Sequence, residues 1–165
     1  MKDLTISAID RQNILNNNQA VGNIQKYLGI SGMMFQGEFR FTTKMVAEFY
    51  EVTPRTLTNY LQRYEEEIKH NGYEVIKGLK LKEFKEQFGH LITKVDDFEQ
   101  RETDFPLLTE TLDNQSKSRL KALAVFNFRS FLNLGMLLTD SERAKALRSA
   151  MLDIVIDTMN ERLGG

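Results

Sequence analysis

The 165 residues carry 22 Lys and Arg against 23 Asp and Glu, a formal charge of -1, so any binding of nucleic acid must rest on local segregation of charge. The 41% hydrophobic content suffices for a core, and the absence of cysteine excludes disulfides and thiolate metal sites. No apolar run reaches the roughly 20 residues that span a bilayer, and the polar opening MKDLTISAIDRQ has no signal-peptide core, so a cytoplasmic protein without membrane partners is expected.

Residues 1–17 are polar and end in asparagines, which favour caps and turns, so a frayed segment with a short helix is expected there. From Gln19 to Leu28 the apolar positions Val21, Ile24, Tyr27 and Leu28 fall at helical spacing, and Gly29 stands where a helix-ending glycine belongs. Met33 to Phe41 switches to alternation around Gln36-Gly37-Glu38, the pattern of a strand, a turn and a second strand.

Thr42 to Asn71 organises the reading of the whole chain. The threonine pair caps a short helix whose apolar positions are Met45, Val46, Phe49 and Tyr50. After Glu51 and Val52, Thr53-Pro54 supplies a hydroxyl N-cap and a first-position proline, which together open a second helix. That helix places Leu57, Tyr60, Leu61, Tyr64 and Ile68 on one face, leaving Arg55, Thr58, Asn59, Gln62 and Arg63 free. Two helices joined by a short turn read as a helix-turn-helix, with Ala47 at the crossing, Val52 in the turn and Leu57 inside the second helix. Glu51 occupies the usual glycine position, at a cost if that position needs a positive φ. An ordinary helical hairpin is the alternative.

Asn71-Gly72 ends the second helix, and Tyr73–Ile76 is strand-like. Lys77-Gly78 then turns, and Leu79–Leu81 either returns as a strand or begins the helix LKEFKEQF. A wing belongs in this place. Its lysines, Lys77, Lys80, Lys82 and Lys85, are either phosphate contacts or a solvated face.

Thr93 to Asn114 is acidic and interrupted by Pro106, so it reads as a linker; Asp96, Asp97 and Glu99 there match no calcium loop. SKSRLKALAVFNFRSFLNLGMLL is nearly continuous in apolar residues and reads as a buried helix. Thr139-Asp140-Ser141-Glu142 contains a Thr-x-x-Glu capping box opening a last helix, in which Leu147, Met151, Ile154, Val155 and Met159 make one stripe. Leu152 and Ile156 widen that stripe, which points to self-association or a further domain. Leu163-Gly164-Gly165 reads as a helix end, and a longer natural protein is expected.

No catalytic constellation is present: His70 and His90 have no nucleophile motif, phosphate loop or metal-ligand spacing beside them, so no enzymatic activity, metal or cofactor is expected. The methionines read as core filling.

The run FTTKMVAEFYEVTPRTLTNYLQRYEEEIKHNGYEVIKGLKLKEFK, followed by FNFRSFLNLGMLLTDSERAKALRSAMLDIV, resembles bacterial DNA-binding proteins of mobile elements and prophages, of the virulence-associated and antirepressor-like kind. LLTDSERAKALRSAMLDIVID in particular is similar to the Bro-type antirepressor pattern, in which a serine and a later Ala-Lys precede an amphipathic helix. The resemblance covers about half the chain. It implies a regulatory, DNA-binding role without enzymatic activity, often with a further C-terminal domain. The chain departs from the pattern at Glu51 and in lacking the tryptophan frequent in the Bro-type helix.

The expected fold is mainly α with small β hairpins: a winged helix-turn-helix over 1–92, an acidic linker over 93–116, and a helical hairpin over 117–165. The expected function is sequence-specific binding of double-stranded DNA by a homodimeric transcriptional regulator. Its DNA contacts are Lys44, Thr53, Arg55, Thr58, Asn59, Gln62, Arg63, Lys77 and Lys80, and its dimer contacts are Phe131, Leu134, Leu147, Met151, Ile154 and Val155. The alternative is a protein-protein interaction module of a toxin-antitoxin or phage-defence system, which the near-neutral charge and the excess apolar helical surface favour.

Overall fold

The computed structural model describes residues 3–30, 33–88 and 122–162. The acidic stretch over 93–116, His90 and the terminal Leu163-Gly164-Gly165 lie outside the described residues. The elements are α1 (Ala8–Leu15), α2 (Asn18–Leu28), β1 (Met33–Phe35), β2 (Glu38–Thr42), α3 (Thr43–Tyr50), α4 (Pro54–Arg63), α5 (Glu65–His70), β3 (Glu74–Lys77), α6 (Gly78–Phe88), β4 (Ala122–Phe126), α7 (Phe128–Leu137) and α8 (Glu142–Arg162).

Local chemistry explains most of the boundaries. The side chains of Ser7, Asn17, Thr42, Thr53 and Asn127 each accept the backbone N–H three residues on, which satisfies one orphan donor at the start of α1, α2, α3, α4 and α7. Gly29 ends α2 at φ 62°, as its place in the sequence implies. Gln36 and Gly37, at φ 52° and 83°, form the tight turn of the β1–β2 hairpin, which pairs Met33 with Arg40 and Phe35 with Glu38.

The four strands form one antiparallel sheet in the order β1-β2-β4-β3. β4 is therefore central, and every one of its five residues is buried. Ala124 and Phe126 join the larger core with Phe41, Tyr73 and Phe131. Leu123 and Val125 join a second cluster with Met33, Phe35, Ile76, Leu81 and Phe84, under α6. A strand covered on both faces has no reason to alternate apolar and polar residues. That is why Ala122–Phe126, expected as part of one continuous helix, is a strand followed by the shorter α7.

Two other expectations are corrected, and one open alternative is decided. The second helix does not run unbroken from Pro54 to the Asn71-Gly72 end: Tyr64, at φ -118° and ψ 33°, breaks it into α4 and α5 and lets Ile68 reach the core. Of the two readings of Leu79–Leu81, the helix is the one formed. Gly78, at φ 60°, turns the chain into α6, and the strand that pairs with β3 is β4. α8 is capped by Ser141, not Thr139: the Ser141 hydroxyl accepts from the Ala144 N–H at 3.0 Å, while Thr139 is hydrogen-bonded to the Tyr60 hydroxyl.

The larger core does not divide at the acidic stretch. It joins Leu15, Ile24, Val46, Leu57 and Ile68 to Phe131, Leu134, Leu147 and Met151. Every residue of α7 except Arg129 is buried, and the helix packs against α1, α5, β2, β4 and α8. Polar groups tie it in as well. Arg11, 3% exposed, grips both carboxylate oxygens of Glu67 at 2.6 and 2.8 Å and donates to the Leu4 carbonyl at 2.7 Å. Asn133 of α7 donates to the same carboxylate at 2.7 Å and accepts from Asn71 at 2.9 Å. Burial pushes the Glu67 carboxyl up, but hydrogen bonds from Arg11 and Asn133 and the Arg11 charge outweigh it, leaving Glu67 below its ordinary value.

Candidate nucleic-acid interface

The turn between α3 and α4 sets the geometry of the site. Glu51 takes the left-handed conformation, φ 57° and ψ 45°, and the Val52 N–H closes on the Ala47 carbonyl at 3.0 Å, the hydrogen-bond pattern of a Schellman ending. Thr53 then accepts from the Thr56 N–H at 3.1 Å and Pro54 opens α4. Leu57, Tyr60 and Leu61 point inward at 0%, 9% and 5% exposure, so the opposite stripe of α4 must face solvent.

The helix pair is mounted on the C-terminal helices. Tyr50 is wholly buried; its hydroxyl donates to the Phe131 carbonyl at 2.8 Å, and its own carbonyl accepts from Ser141 at 2.6 Å. Burial pushes this hydroxyl well above the ordinary tyrosine value, so it remains a donor. Its ring stacks on Phe131, with centroids 5.0 Å apart. Arg143 lies 5.1 Å over the Phe49 ring and donates to the Phe49 carbonyl at 3.2 Å. Tyr60 meets Thr139 at 3.0 Å.

Of the residues expected to contact DNA, Arg55, Asn59, Gln62 and Arg63 share the exposed face of α4. Thr53 is exposed but serves as the cap. Thr58 is half-buried and returns its hydroxyl to the Pro54 carbonyl at 3.0 Å. Lys44 is half-buried on α3, and Lys77 is exposed at the end of β3. Lys80 binds the Glu74 carboxylate at 3.0 and 3.1 Å, as the buried Arg40 does at 3.1 Å, so its charge is already met within the fold.

The three consecutive glutamates after α4 do not act together. Glu67 is turned inward to Arg11 and Asn133, and Glu65 pairs with Lys69 at 2.8 Å. Glu48 and Glu51 remain exposed on α3 and its turn, with Arg143 3.7 Å from Glu51.

In the sequence Asp140 belongs to a capping box, and nothing there connects it with α4. The fold does connect them: a cleft of about 200 Å³ is lined by Thr56, Asn59, Tyr60, Arg63 and Asp140. The Arg63 guanidinium lies over the Tyr60 and Tyr64 rings, at 5.9 and 5.8 Å.

The residues expected at a dimer interface are elsewhere occupied. Phe131, Leu134, Leu147 and Met151 are at most 5% exposed within the single chain, and Ile154 and Val155 are half-buried against the same core. Their apolar pattern reflects intramolecular packing of α7 and α8. The large apolar side chains that α8 does expose are Ile156 and Met159.

No family model, curated protein or solved structure matches this chain. Among the described residues no helix is long and apolar enough to cross a membrane.

Proposed function

We propose that the chain is a sequence-specific double-stranded DNA-binding regulator of the antirepressor-like kind, with α4 as the helix that enters the major groove. The observation that carries this reading is the stripe Arg55, Asn59, Gln62 and Arg63, exposed on a helix whose other face is locked into the core. Arg matches the paired acceptors of guanine and Asn or Gln the acceptor and donor of adenine, while an α-helix fits the width of the major groove. The inward capture of Glu67 and the pairing of Glu65 with Lys69 reduce the acidity just beyond α4.

The strand order supports a winged form of the motif. The helix pair lies between β2 and β3 in the chain, and β4 comes last yet sits between those two strands in the sheet. In that form Lys77, exposed at the end of β3, would lie beside the DNA backbone.

Binding of mixed-sequence duplex DNA across a salt series tests the reading. Wild-type affinity falls with salt, and Arg55→Ala and Arg63→Ala each weaken it and lower the salt slope by about 1 for every phosphate that is no longer neutralised. If neither substitution changes affinity at low salt, α4 is not the reading helix. If the wild type does not bind duplex at all, the protein-interaction alternative takes its place.

A further inference from the structure

A carboxylate on a surface meant for DNA needs a reason, because it repels phosphate. Asp140 is exposed at the turn between α7 and α8 and forms no ion pair with the described residues. It lines one cleft with Thr56, Asn59, Tyr60 and Arg63, positions that make a single stripe of α4 by their spacing of three, one and three. Arg63 and Asp140 share this cleft without reaching ion-pair distance, and the guanidinium is stationed over two tyrosine rings. The cleft thus offers a fork of donors on one side and a bare acceptor on the other.

In the major groove a G·C pair shows two adjacent acceptors, guanine N7 and O6, followed by a donor, the cytosine N4 amino group. An A·T pair shows acceptor, donor and acceptor, so a guanidinium finds no adjacent pair of acceptors, and a carboxylate beyond the donor meets thymine O4. We propose that Arg63 and Asp140 together read one G·C base pair, Arg63 donating to guanine and Asp140 accepting from the cytosine amino group. The inference rests on the DNA-binding reading above. It makes Asp140 a specificity-determining residue supplied from outside the helix-turn-helix: at an A·T pair in the same orientation the carboxylate faces thymine O4 instead of an amino group, which discriminates by repulsion as well as by contact.

The test is selection from a randomised duplex library with the wild-type chain, followed by titration of the selected duplex with each base pair replaced in turn. The expected result is one G·C pair whose replacement by A·T weakens wild type roughly 5- to 150-fold. Asp140→Asn lowers that discrimination, with Arg63 keeping its own preference for guanine, and binds unselected duplex several-fold more tightly, since a phosphate-repelling charge is gone. Asp140→Ser behaves likewise, and both keep the wild-type unfolding midpoint. If both variants retain the wild-type preference at every position while still binding DNA, this inference falls and the DNA-binding reading stands. If the wild type selects no duplex and shows no salt-dependent binding, both fall.

Discussion

Glu51 is a charged side chain in a conformation that suits glycine, and the strain can be isolated with two substitutions. At φ 57° the left-handed backbone costs an L-residue about 1–2 kcal/mol. Glycine escapes that cost but gives back about 0.5–1 kcal/mol through its freer unfolded chain. Both Glu51→Gly and Glu51→Ala remove the pairing with Arg143, which at 3.7 Å between side chains 67% and 49% exposed is worth about 0–1 kcal/mol. That term cancels when the two variants are compared. Taking the middle of each range, Glu51→Gly is therefore more stable than Glu51→Ala by about 0.75 kcal/mol, a difference of about 1.5–3 °C in midpoint for a chain of this size. Urea unfolding with a shared m-value is the assay, because a change in midpoint alone then reports stability. An alanine variant as stable as the glycine variant would refute the reasoning, and with it the claim that the α3–α4 turn is strained.

Gly135 of α7 leaves room for Tyr50: a Cβ at that position meets the tyrosine hydroxyl and ring. Gly135→Ala should destabilise by about 1–3 kcal/mol, as overpacking does. A double-mutant cycle with Tyr50→Phe should recover part of that deficit, since the crowding oxygen is removed. The acid limb of stability should depend on Glu67. Its folded value is lowered, so its stabilisation is fully present above the ordinary carboxylate value and is lost as pH falls through the folded value. Denaturation from neutral pH into the acid range should show a shallower decline for Glu67→Gln than for wild type.

Much of the helix pair was legible because its signals are local. Thr42, Thr53 and Pro54 each act within one turn of helix, and the Gln36-Gly37 turn needs only its own residues and the alternation beside it. Glu51 was recognisable as out of place for the same reason. The remainder depended on partners far away in the chain. Leu123 and Val125 are apolar because α6 covers them, and Ala124 and Phe126 because the main core does; a run buried on both faces has no period to separate strand from helix. The apolar stripe of α8 reads in the sequence as a surface for self-association or a further domain, whereas in the fold α8 packs against this chain's own α2, α3 and α7. Nothing near Glu67 announces Arg11, 56 positions earlier. Asp140 was hidden by a local rule that also fitted: the capping box looked complete, and only the fold shows the α4 face beside it.

The central position of β4 has a consequence for the order of synthesis. β2 and β3 are not neighbours in the sheet; each pairs with β4, which starts at Ala122, far beyond the start of β3 at Glu74. While the ribosome has yet to release that strand, the emerging chain presents open edges on β2 and β3, and Tyr50 lacks the Phe131 ring and carbonyl that hold it. Such a chain closes a long loop late, which makes it slow to fold and dependent on protection from edge-to-edge pairing until Ala122–Phe126 arrives. Cutting the protein after β3 would leave it in that condition permanently.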